Sequence, residues 1–141
     1  MSKKVQMLYI QPGKRPELID TDQDLETLQE LVGGNIECVY PWLDQNVAVI
    51  CNEDGKFNEY CKPNRALKYK DCDPETDTPE KIYDIVFGSF MIAACGQDGD
   101  FKSLSDKEVD FFMKRFYSPE LFFKDSSEIV AVPYEPEDRD R

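Results

Sequence analysis

The sequence predicts an α+β fold: about five strands in a mostly antiparallel or mixed sheet, with two helices packed on one face. Three observations lead there. Two stretches carry apolar residues at helical spacing, each with its own start and stop residues. Several short apolar runs are bounded by turn residues, as strands are. One run, Ile85 to Ala94, is apolar almost throughout, which requires burial on both faces and a central place in the sheet.

Val5 to Ile10 reads as the first strand, with Gln11-Pro12-Gly13 as its turn. Thr21 is read as the N-cap of the first helix, with Asp24 as its capping partner three residues on. Leu25, Leu28, Leu31 and Val32 line one face, and Gly33 closes the helix in the left-handed conformation. Asn35 to Tyr40 and Asn46 to Cys51 are strands joined as a hairpin across Pro41 and Trp42. Asn52-Glu53-Asp54-Gly55 is a turn, and Phe57 to Tyr60 is expected to return as a short strand.

Residues 61–81 are polar and hold three prolines, so they read as a loop insertion with one helical turn near Asn64 to Leu67. Asp71 to Pro79 is its acidic, exposed part. Gly88 marks a bulge or a close backbone approach. Ser105 and Glu108 form a capping box, and Val109, Phe112, Met113 and Phe116 share one helical face until Pro119. Glu128 to Val132 is a last strand. Residues 1–134 are thus one domain and 135–141 a charged, flexible tail.

Composition narrows the chemistry. Seventeen basic against 29 acidic residues give a net charge of −12, which repels nucleic-acid phosphates and anionic lipid. The same charge permits basic partners, and it permits imitation of a nucleic acid. Mimicry needs ordered rows of carboxylates, however, whereas many acids here fall in the loop and the tail. Histidine is absent, which removes the usual general base and the commonest zinc ligand. The five cysteines form no Cys-x-x-Cys pair, and the first residues lack the apolar stretch of a signal peptide. Reduced thiols in a cytoplasm follow as the expectation. No run is long enough to span a membrane, and no cofactor or metal is expected.

Several pieces occur in a fixed order: Gln11-Pro12-Gly13-Lys14; Leu28 to Glu37 with its double glycine; Asn52-Glu53-Asp54-Gly55-Lys56; Asn64-Arg65-Ala66-Leu67; Asp84 to Ala94; and Phe101 to Ser105. That order resembles the 3846 family of domains of unknown function, over about residues 5–117. The resemblance implies a small protein of bacteria, phages or mobile elements, and it brings no catalytic residues with it.

The candidate binding residues are Lys14, Trp42, Asn52, Glu53, Asn64 and Arg65. Arg65 can fork onto a phosphate or carboxylate, and asparagine suits a base edge or a carbonyl. The competing role is structural, with both asparagines capping turns and Arg65 paired to an acid. Trp42 at a hairpin tip either anchors a partner or folds back over the sheet. Phe111, Tyr117, Phe122 and Phe123 either extend the core or form an exposed patch.

The function expected from these residues is a non-enzymatic binding module, a phage or mobile-element accessory protein. It would engage a host protein, such as a defence or nucleic-acid-handling component. The alternative is binding of a small ligand such as a nucleotide, and a carboxylate enzyme using Glu37 with Glu53 stands behind both. No nucleic acid is contacted directly, and the chain is a monomer or a homodimer.

Overall fold

The computed structural model describes residues 4–136. Its main sheet is antiparallel throughout, in the order β2 (Glu17–Asp22), β1 (Lys4–Ile10), β7 (Phe90–Cys95), β4 (Val47–Asn52), β3 (Ile36–Val39). The two-residue β8 (Phe101–Lys102) extends it by pairing with the end of β7. Two small antiparallel pairs lie apart from it: β5 (Pro63–Lys68) with β6 (Ile82–Phe87), and β9 (Glu120–Asp125) with β10 (Glu128–Pro133). The α+β class therefore stands, but the sheet has six strands rather than about five.

Strand alternation divides the core in two. Leu8, Ile10, Val47, Val49, Phe90 and Ile92 face one side, where α3 (Asp106–Arg115), Trp42 and the β5–β6 pair cover them. Val5, Met7, Ile50, Met91 and Ala93 face the other, beneath Leu28 and Val32 of α1 (Leu25–Val32). The two helices thus sit on opposite faces, against the expectation of one. The reason lies in β4 and β7, which are buried on both sides and need cover on both.

Several boundaries move. Thr21 lies in β2 opposite Val5, and the first helix is capped instead by Asp24, whose carboxylate accepts from the Thr27 amide at 3.1 Å. Gly33 ends that helix in the left-handed region, at φ 82°, as expected. The hairpin of β3 and β4 and the Ser105–Glu108 capping box also form as expected. The Ile85–Ala94 run is two strands, because the chain turns at Gly88 and Ser89 and passes from β6 to β7. In place of a strand at Phe57 to Tyr60 there is a 3₁₀ turn, Gly55–Phe57.

The loop expected at 61–81 holds β5 and a one-turn helix, α2 (Tyr69–Cys72), and Asn64 to Leu67 are buried strand residues rather than a helical turn. Asp71, read as exposed, is 5% exposed and accepts a two-pronged grip from Arg115 at 2.6 and 3.0 Å. That grip ties α2 to α3. β10 forms where a last strand was expected, and β9, its partner, was not foreseen. Of the expected tail, residues 137–141 lie outside the described residues.

Candidate functional site

Three of the candidate residues are buried polar groups that staple loops together. Asn64 donates from Nδ2 to the carbonyls of Ile10 (2.9 Å) and Gly88 (2.8 Å). Its Oδ1 accepts from Arg65 Nη1 at 2.8 Å. Arg65, 1% exposed, also donates to the carbonyls of Phe116 (3.1 Å) and Lys14 (2.6 Å). It therefore anchors the β1–β2 turn and the end of α3 to β5. Burial pulls the guanidinium down to about 10, so it is still charged at neutral pH.

Asn52 does similar work at the same end of the sheet, where β4 finishes level with the start of β7. Its Nδ2 donates to the Val32 carbonyl at 3.2 Å, and its Oδ1 accepts from the Asp54 amide at 2.8 Å. This contact explains the second glycine after α1. A Cβ on Gly34 would stand 2.9 Å from Asn52 Nδ2, closer than the amide can tolerate.

These staples surround a cleft of about 410 Å³ lined by Gln11, Lys14, Glu30, Gly33, Tyr60 and Lys62, among others. Lys14 lies at its rim, exposed, while Asn52, Asn64 and Arg65 spend their hydrogen bonds inside the fold behind it. The C-terminus of α1 opens onto this cleft, and its carbonyl dipoles oppose an anion there. The ring of Tyr60 is 86% exposed beside it.

A second, smaller cleft of about 240 Å³ lies under the 3₁₀ turn, with Glu37, Glu53, Lys56 and Asp84 among its lining and Leu67 and Val86 behind them. Glu37 and Glu53, paired as a candidate acid and base, do share this cleft, and both are exposed. Lys56 is bonded to Asp84. The Cys51 thiol at the same place is pushed up to about 12 by burial and by Glu37, so it is no nucleophile at neutral pH. Burial also raises Cys38 and Cys95.

Trp42 does not reach a partner from this surface. Its ring is 3% exposed and meets Phe112 and Phe116 edge-on, at 4.7 and 5.9 Å between centroids. Among the described residues, its indole nitrogen has no hydrogen-bond partner. The six candidate residues thus do not converge. Asn64, Arg65 and Lys14 form one group, Asn52 and Glu53 flank the next turn, and Trp42 stands apart in the core.

The feature that sequence reasoning caught only in part is the β9–β10 hairpin. Its register places Leu121 opposite Val132 and Phe123 opposite Val130, on one face. These four side chains are 48, 42, 54 and 39% exposed, respectively. Phe123, which the sequence leaves open between core and exposed patch, belongs to a patch. Leu121 is not legible in the sequence because β9 itself is not. An open cleft of about 650 Å³ lies between residues 127–131 of the hairpin and Lys68 with residues 78–82. Among the described residues, no three metal-ligating side chains gather, and no helix is long and apolar enough to cross a membrane.

The model of a family described as a domain of unknown function, DUF3846, matches residues 4–117. The match ends at Tyr117, so it takes in all three clefts' walls except the hairpin, which lies beyond it. No curated protein and no solved structure matches the chain. Because the match spans most of its length, the chain belongs to the DUF3846 family.

Proposed function

We propose that this chain is a non-enzymatic binding module, an accessory protein of a phage or mobile element that engages a protein of its host cell. The observation that carries this reading is the exposed apolar face of the β9–β10 hairpin. Four large side chains on one sheet face, about half in solvent, are the kind of surface that another protein covers. The net charge of −12 favours a basic protein over nucleic acid or an anionic membrane, and a nucleic-acid-handling protein of the cytoplasm fits that preference. The test is purification of the tagged chain from its host cell type, followed by the mass of the intact complex. A stoichiometric protein partner is expected; the chain recovered alone, at every salt concentration tried, would sink the reading.

A second reading is a small-ligand protein using the cleft of Lys14, Lys62 and Tyr60. It is supported by the two lysines at one rim and by the buried staples that hold the surrounding loops in place. In that reading Arg65, Asn52 and Asn64 support the walls and do not touch the ligand. A thermal-shift panel of nucleotides decides it, since a ligand at ~100 times its dissociation constant adds about 2.7 kcal/mol. No shift with any nucleotide would remove this alternative.

A further inference from the structure

Resting on the binding-module reading, we infer that the outer face of β9–β10 docks a segment of another protein that sets apolar side chains beside a lysine or arginine. The inference comes from what else shares that face. Side chains alternate along a strand, so the face that holds Leu121 and Phe123 also holds Asp125. Across the hairpin, Asp125 stands directly opposite Glu128, as Phe123 stands opposite Val130. The face is therefore an apolar strip that ends in two carboxylates.

Like charges directly opposite each other weaken an antiparallel pair. Little in the free molecule relieves this one. Lys81 reaches Glu128 at 3.7 Å, with both side chains more than half exposed (62% and 68%), where an ion pair contributes little. Among the described residues none bonds to the Asp125 carboxylate. Lys124, the one basic residue of the two strands, alternates to the opposite face. A partner that lays a basic side chain over the tip places it between both carboxylates, while its apolar residues cover Phe123 and Val130.

The same arrangement disfavours the other occupants. A second copy would bring another −12 and another acidic pair to the contact. An anionic bilayer would meet the two carboxylates first. Phe123 is the expected centre of the contact, because large aromatic side chains dominate interface energetics.

The test is selection from a displayed library of random short peptides on the full-length chain, compared across three variants. Peptides that join apolar residues to lysine or arginine are expected from the parent. Phe123→Ser should weaken them by at least about tenfold. Val130→Ser is the second probe, and circular dichroism with thermal melting verifies that both exposed substitutions leave the fold intact. Asp125→Lys with Glu128→Lys keeps the apolar strip and should invert the preference toward acidic peptides. Enriched peptides without basic residues, or no enrichment at all, would overturn the inference. Basic peptides indifferent to all hairpin variants would overturn this surface and leave the binding-module reading standing. A concentration-dependent dimer that Phe123→Ser abolishes would give the face to a second copy and overturn it as well.

Discussion

Arg65 is an unusual residue to find in a core: a guanidinium 1% exposed whose hydrogen-bond partners are neutral oxygens of Asn64, Lys14 and Phe116. Its rigid fork satisfies three separated acceptors at once, which a lysine ammonium cannot do from the same stem. Arg65→Leu strips donors from the Lys14 and Phe116 carbonyls and from Asn64 Oδ1. The loss should be about 3 kcal/mol or more, by analogy with buried groups left unpaired. Urea unfolding measures it, and a loss below about 1 kcal/mol would mean that water replaces the side chain easily. The sequence marks Asn52, Asn64 and Arg65 as polar residues beside apolar strands. It does not say which way they point, because an amide that binds a ligand's carbonyl and one that binds the chain's own carbonyl need the same atoms. Trp42 was open for the same reason: an indole suits a hot spot and a core equally.

At the level of elements, what the sequence reveals is what local chemistry dictates. Ser105 with Glu108, and Gly33 after Val32, fix helix ends through their own backbone bonds, and both helices were legible. β1, β3 and β4 were legible from their apolar runs. β5 was hidden because its buried residues include Asn64 and Arg65, whose cost is offset only by partners distant in sequence. The side of the sheet on which each helix packs is likewise a long-range fact.

The β5–α2 corner gives a prediction of its own. Hydrogen bonds from Lys70 and Lys68, at 2.8 and 2.9 Å, hold the Glu80 carboxylate down to about 2 from an ordinary 4.5. The folded state therefore binds this proton less readily than the unfolded chain. Any stability from the cluster is present above pH 4.5 and is lost as pH falls toward about 2. Glu80→Gln should melt slightly below the parent at neutral pH, and the gap should close across that acid window. The effect is small because Glu80 is 65% exposed, and a gap that is unchanged down to pH 2 would refute the pairing.

Over the whole molecule, charge outweighs any single contact. A net −12 on 141 residues means that the folded chain repels itself, and compaction concentrates that repulsion. Salt should therefore raise the melting temperature as the screening length shortens from ~30 Å at about 0.01 M toward ~8 Å at about 0.15 M. Differential scanning calorimetry in sodium chloride checks this, and a melting temperature that falls with salt would show that ion pairs such as Asp71–Arg115 outweigh the repulsion. Trp42 adds an optical consequence. It is the only tryptophan in the chain, and its ring is wedged between Phe112 and Phe116 where α3 meets the sheet. Tryptophan emission therefore comes from one place, so a shift of that band to longer wavelength reads the undocking of a single helix, with no label attached.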